Sequence, residues 1–190
     1  MEVYLIRHTA PAVDKGICYG ASDVPLAASF DDEYLRLKKH LPEKTDAVYS
    51  SPLTRCQQLA SRLVSAQEII RDERLQELHF GNWEMKRWEE IPAAELEPWM
   101  QDFVHVQVPG GENFQKLYER TGLFFEELIK SGHKDSIVVS HAGAIRAIIA
   151  RVLEIPLRNA FKVPVPYGSV TKLNLQPDTC YCNIEYLGKE

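Results

Sequence analysis

The chain has 190 residues, 45% of them apolar and 26% charged, with a formal net charge of −5. Such a length suits a single domain, 1–190, able to bury roughly 70% of the surface its unfolded form exposes. The acidic balance speaks against a general nucleic-acid or membrane-surface role, and no apolar run reaches the ~18 residues of a membrane span.

The chain opens with MEVYLIRH, which carries an acid where a secretory leader would carry basic residues, so a cytoplasmic location is expected. Within it Val3 to Ile6 is a continuous apolar run, as a strand buried on both faces requires. It ends in a cation beside an imidazole, Arg7-His8. Residues 29–41 have helical period. Phe30, Tyr34, Leu37 and Leu41 make one face, Ser29 can cap, Asp31 to Glu33 suit the first turn, and Lys38 to His40 suit the last. DAVYSS (46–51) reads as a second strand. It leads into a helix over 52–66, with Ser51 at the cap and Pro52 at the first helical position. Leu53, Cys56, Leu59, Ala60, Leu63 and Val64 form its apolar stripe. Residues 82–108 hold all three Trp, two Pro and a cluster of acids without a strand pattern. We expect a helical insertion there, a lid extending over 82–115. Helices over 112–131 and 142–153 flank a third strand, SIVVSH (136–141). SVTKLNL and CYCNIEYL alternate around QPDT, which predicts an antiparallel hairpin at a sheet edge. The order implies an α/β fold. It is a three-layer sandwich with a mostly parallel central sheet, an antiparallel edge and a small helical insertion over the active site.

In an open α/β sheet, ligands bind outside the carboxyl ends of the strands. The first strand ends in Arg7-His8, the second in Ser50-Ser51 four residues before Arg55, and the third in Ser140-His141. Two guanidiniums, two imidazoles and a helix N-terminus then face one crevice. That set suits a compact dianion such as a phosphoryl group.

LIRH, SSPLTR, LQELHFGNWE, PGGE and VVSHAG follow one another in that order, from residue 3 to about 146. The series resembles the histidine phosphatase superfamily, also called the phosphoglycerate mutase-like family. GICYGASDVPL (16–26) and the short length look most like its α-ribazole phosphatase branch. The resemblance implies that His8 is the nucleophile, forming a phosphohistidine that water later cleaves. Arg7 and Arg55 would hold the phosphoryl oxygens and disfavour imidazolium, and His141 would donate to the same oxygens. Glu77 would protonate the leaving oxygen and then take a proton from water. No metal or other cofactor is expected, because the two arginines supply the charge. Thr9, Tyr19 and Ser22 are expected substrate contacts. The implied activity is a metal-independent phosphomonoesterase acting on a small-molecule phosphate ester, with α-ribazole 5′-phosphate in cobalamin biosynthesis as first candidate. A broad-specificity phosphatase, a phosphoglycerate mutase-type enzyme and a non-catalytic phosphate-binding module are the alternatives. Oligomeric state is not legible in the sequence. The chain departs from the family pattern at Thr9, usually Gly, at Ala10-Pro11, usually Glu-Thr, and at Asp14, often a phosphate-binding Asn. Asp14 is not carried over, since a carboxylate there would repel the substrate.

Other residues resemble sites without their chemistry. Cys56 to Arg62 has the C-x5-R spacing of cysteine phosphatases, but QQLAS holds no glycine and continues a helical stripe, so Cys56 is expected in the core. The four cysteines, at 18, 56, 180 and 182, form no disulfide framework and are expected as thiols. Cys180 and Cys182 share a strand face with Ile184 and Tyr186 and are expected to pack, not to bind zinc. His79, Trp83 and Trp88 either line the pocket or pack in the lid. His40, His105 and His133 are expected in solvent, and Glu89, Glu90, Glu95 and Glu97 on an exposed helix face.

Overall fold

The computed structural model describes residues 1–64, 68–176 and 181–190. In chain order its elements are β1 (Glu2–Arg7), α1 (Phe30–Leu37), β2 (Ala47–Ser50), α2 (Thr54–Leu63), β3 (Ile69–Arg71), α3 (Ala93–Gln101), α4 (Phe114–Lys130), β4 (Asp135–Ser140), α5 (Ala142–Val152), β5 (Val170–Gln176) and β6 (Tyr181–Lys189). The strands form one sheet in the order β3-β2-β4-β1-β5-β6. β3, β2, β4 and β1 run parallel, while β5 and β6 form the antiparallel edge.

The pleat of β1 divides the core in two. Val3 and Leu5 join Val138 of β4 and Leu173 of β5 against Phe124, Phe125 and Leu128 of α4 and Ile145, Ile148 and Ile149 of α5. Tyr4 and Ile6 join Val48, Ile137 and Val139 against Tyr34 and Leu37 of α1 and Cys56, Leu59 and Ala60 of α2. Successive strand side chains point to opposite faces, so a sheet covered on both sides needs unbroken apolar runs. Each fully buried Leu or Ile contributes about 1.5–3 kcal/mol, which fixes the register of the central strands. That register sets the site. Arg7 pairs with Ser140 and Ser50 with Val139. His8 N–H then donates to the Ser140 carbonyl and Ser51 N–H to the Val139 carbonyl, both at 3.0 Å. His8, Ser51 and His141 thus leave the sheet side by side.

The structure departs from the sequence reading in places. β3 was not expected. α2 begins at Thr54, because Pro52 and Leu53 lie in a turn and the Leu53 backbone is extended. Asp23, far away in sequence, caps this helix by accepting from Thr54 N–H at 2.8 Å and from its hydroxyl. Residues 65 and 66 of the expected helix lie outside the described residues, as do Cys180 and the hairpin turn beyond Gln176. In β6 a register shift pairs Leu173 with Ile184 but Lys172 with Tyr186. Ile184 and Tyr186 therefore pack into different cores, Cys182 and Ile184 into one and Tyr186 into the other. The expected common face is broken by this bulge. The insertion is less helical than expected, with two 3-10 turns and α3. Its core is aromatic, with Trp99 5.7 Å from Trp83 and 5.9 Å from Trp88, ring centre to ring centre. Trp83 and Trp88 pack there, while His79 is exposed. Glu89, Glu90, Glu95 and Glu97 are exposed, though Glu95 accepts from the Trp83 indole at 2.8 Å. His105 is exposed, but His40 and His133 are half-buried beside Tyr186 and Tyr49. Among the described residues no helix is long and apolar enough to cross a membrane.

Candidate active site

His8 is 2% exposed. Its Nδ1 lies 2.7 Å from the Thr9 carbonyl oxygen. A carbonyl can only accept, so Nδ1 carries the proton and Nε2 of the neutral ring keeps its lone pair. Arg55 Nε stands 3.3 Å from that Nε2 and donates to it. Burial first, then Arg55 and more weakly Arg7, hold His8 well below the ordinary imidazole value, against the opposing pull of the Thr9 carbonyl. The ring is therefore a neutral base whose unprotonated nitrogen faces the Arg55 guanidinium.

Arg55 is fully buried, with no carboxylate partner among the described residues. Its Nη1 donates to the Ser22 carbonyl at 2.8 Å and its Nη2 to the Gly20 carbonyl at 2.5 Å. A buried cation held only by carbonyl and imidazole dipoles keeps its charge uncompensated, as an anion site requires.

His141, also fully buried, lies 5.0 Å from the His8 ring in an edge arrangement. Its Nε2 is 2.8 Å from Ser51 Oγ and 3.4 Å from Cys56 Sγ. Burial, then Arg55 and His8, keep it well below its ordinary value. Cys56 is a core residue and also a wall of the His141 niche. Burial pushes its thiol up, so it is no thiolate nucleophile.

Glu77 reaches the same end of the sheet from the segment before the insertion. Its Oε2 accepts from Gly143 N–H at 3.0 Å, in the first turn of α5, and its Oε1 from Leu78 N–H at 2.9 Å. Arg7 donates through Nη1 to the Val165 carbonyl at 2.6 Å, and its guanidinium lies 3.5 Å above the Tyr167 ring. Arg7 Nε and Thr9 Oγ1 are buried without a hydrogen-bond partner among the described residues. Two such atoms flanking His8 cost about 1–3 kcal/mol each unless a ligand meets them. Tyr19 shares a 2.5 Å hydrogen bond with the Tyr167 hydroxyl and lies 5.6 Å from the Arg55 guanidinium. Ser22 touches Arg55 through its carbonyl. Asp14 is exposed. Pro11 forms a short antiparallel bridge with Leu26, which sets the loop after His8 in extended form.

Tyr167 and Arg146 were missed in the sequence. Arg146 is on α5, one turn beyond Gly143, half-buried over Phe161. Its Nε donates to the Val163 carbonyl at 3.0 Å, and its Nη atoms bond none of the described residues. Burial draws it below its ordinary value, with Glu77 opposing and Arg7 assisting, which places it in the same electrostatic field.

The profile of the histidine phosphatase superfamily (branch 1) matches residues 3–185. The chain belongs to this superfamily. An adenosylcobalamin/α-ribazole phosphatase of Escherichia coli is 30% identical over 92% of this chain and 90% of its own. A putative phosphoserine phosphatase 2 of Hydrogenobacter thermophilus is 27% identical over 99% and 95%. Among solved structures, the α-ribazole phosphatase of Shigella flexneri aligns with a TM-score of 0.91 at 25% identity, over 100% of this chain and 96% of that one. This histidine phosphatase thus shares fold and length with phosphatases whose names give two different substrates.

Proposed function

We propose that this histidine phosphatase is a metal-independent phosphomonoesterase that works through a phosphohistidine at His8. The observation that carries the reading is the His8 tautomer, with its unprotonated Nε2 facing Arg55 Nε. In the first step Nε2 attacks phosphorus and the bond to the leaving oxygen breaks, while Glu77 gives that oxygen a proton. In the second step water attacks the phosphohistidine, its proton passes to Glu77, and His8 is released as inorganic phosphate departs. Arg55, Arg7 and His141 hold the phosphoryl oxygens, where this reaction most needs fixed positive charge. Thr9 Oγ1 and Arg7 Nε have unmet donors for the same oxygens. Tyr19 and Tyr167 form the wall facing the leaving group.

For the substrate, α-ribazole 5′-phosphate stands first, supported by the 16–26 stretch and the relatives of that name. A short phosphorylated carboxylic acid, phosphoserine for instance, is the second reading, favoured by Arg146. Arg7 and Arg146 hang on the Val165 and Val163 carbonyls, two residues apart in one segment. A second guanidinium held to the same segment as Arg7 suits a carboxylate a few bonds from the phosphate. A panel in EDTA tests both. Better turnover of α-ribazole phosphate, unchanged in Arg146→Leu, supports the first. A preference for phosphoserine lost in that variant supports the second. Hydrolysis of p-nitrophenyl phosphate separates an enzyme from a phosphate-binding module, and a His8→Ala variant as active as wild type removes the proposal.

A further inference from the structure

The loop at Gly20–Ser22 is held between opposite charges. On one side, Glu84 Oε2 accepts from Gly20 N–H at 3.0 Å and Ser22 N–H at 3.2 Å, and Oε1 accepts from Ala21 and Phe80 N–H, both at 2.9 Å. On the other, the Gly20 and Ser22 carbonyls accept from the Arg55 guanidinium. Three successive N–H groups converging on an anion form a nest, and here the anion is the protein's own carboxylate. Burial pushes the Glu84 carboxyl up, but hydrogen bonds from Ser22, Gly20, Phe80 and Ala21 outweigh it and hold the group below its ordinary value. Glu84 therefore stays charged at neutral pH, and bonds to an ionised acceptor are the strong ones.

Gly20 admits no side chain. A Cβ on Gly20 would stand 1.8 Å from the Leu78 carbonyl oxygen, next in sequence to Glu77. Met85 N–H donates to the Cys18 carbonyl at 2.7 Å and Cys18 N–H to the Lys86 carbonyl at 2.8 Å, fastening the insertion beside the loop. Asp23 binds Thr54, the residue before Arg55. One peptide segment thus presents its N–H groups to Glu84 and its carbonyls to Arg55.

We propose that Glu84 is a positioning residue of the reaction, acting through the Gly20–Ser22 loop on Arg55 and through Arg55 on His8. The proposal rests on the phosphohistidine reading. Without the carboxylate charge the N–H groups lose their common acceptor and the peptide planes turn. The two carbonyls then leave the guanidinium, and Arg55 drifts from His8 Nε2. The phosphoryl clamp loosens, and an imidazole with less positive charge beside it protonates more readily.

The test is a double-mutant cycle between Glu84→Gln and Arg55→Lys. Its readouts are the pH dependence of kcat/KM for p-nitrophenyl phosphate and calorimetric binding of inorganic phosphate. Glu84→Gln keeps the shape but leaves one oxygen to accept four N–H groups. Alone it is expected to lower kcat/KM by about ten-fold or more, weaken phosphate, and move the acid limb of the profile to higher pH. In the Arg55→Lys background the same change is expected to cost less than about two-fold. Glu84→Asp, which keeps the charge, recovers part of the loss. It also carries the cycle if the Gln variant does not fold. Equal losses in both backgrounds, an unmoved acid limb or no loss at all overturn the proposal. Failure of the underlying reading shows separately, as a His8→Ala enzyme that still turns over.

Discussion

Replacing Gly143 by Ala isolates the proposed acid. A Cβ at this position would stand 2.2 Å from Glu77 Oε1 and 3.2 Å from Leu117 Cδ2. Ordinary contact needs about 3.5 Å, so the carboxylate must retreat by about 1 Å and lose its bond to Gly143 N–H. The helix gains about 1 kcal/mol from Ala over Gly, while leaving the buried Gly143 N–H without its acceptor costs about 1–3 kcal/mol. The net is a loss of roughly 0–2 kcal/mol, a Tm drop of at most a few degrees that calorimetry can check. The chemical effect is larger and selective. A displacement of about 1 Å costs on the order of 100-fold where a proton must be delivered. We expect kcat/KM for an alkyl phosphate to fall by about that factor, and kcat/KM for p-nitrophenyl phosphate, whose leaving group departs without a proton, to fall less than about three-fold. kcat on the aryl ester drops more, since water attack on the phosphohistidine uses the same carboxylate. Equal falls in kcat/KM for both esters would refute the assignment of Glu77 as proton donor.

Two more predictions follow from the buried rings and the tyrosine wall. His8 and His141 are neutral when folded, with values held well below ordinary, yet titrate near ~6.5 when unfolded. Below that pH the unfolded chain binds more protons, so their effect on stability is nil above about 6.5 and becomes a growing penalty as pH falls toward their folded values. Each contributes about 1.4 kcal/mol per pH unit, so the pair contributes about 2.8. Denaturant melts between about pH 6 and 5 should show this slope, halved in His8→Gln; an unchanged slope in that variant contradicts the neutral buried ring. Tyr167→Phe keeps the face under Arg7 and should leave kcat/KM within about three-fold. Tyr167→Ala loses a cation–π contact worth about 1–2 kcal/mol and should weaken phosphate inhibition about ten-fold. A Phe variant as damaged as the Ala variant would mean that the Tyr19 bridge, not the stack, matters.

The central strands were legible because both sheet faces are covered, which forces apolar runs at Val3–Ile6 and in β2 and β4. Arg7, His8 and His141 stood out where charge interrupts those runs. β3 gave no such signal, being three residues long with Ile70 and Arg71 exposed. Ser51 looked like a cap, but its hydroxyl serves His141, and Asp23 does the capping from a distant loop. Local sequence cannot reveal a partner chosen by tertiary structure. Tyr167, Arg146 and Glu84 were missed for the same reason, since their roles depend on which carbonyls and N–H groups the loops present. The pattern L-Q-E-L-H-F-G-N-W-E held Glu84 in view, but only the nest at Gly20–Ser22 gives that carboxylate a task.

The most direct measurement is to quench the enzyme during turnover of a labelled phosphate ester under alkaline conditions that preserve phosphohistidine, and to locate the label by peptide mass spectrometry. The label is expected on Nε2 of His8, absent from His8→Ala, and, with an aryl ester, to build up when Glu77 is replaced, because water attack slows while phosphoryl transfer from that ester does not. Steady turnover with the phosphoryl group on another residue, or with His8 never labelled, would contradict the account.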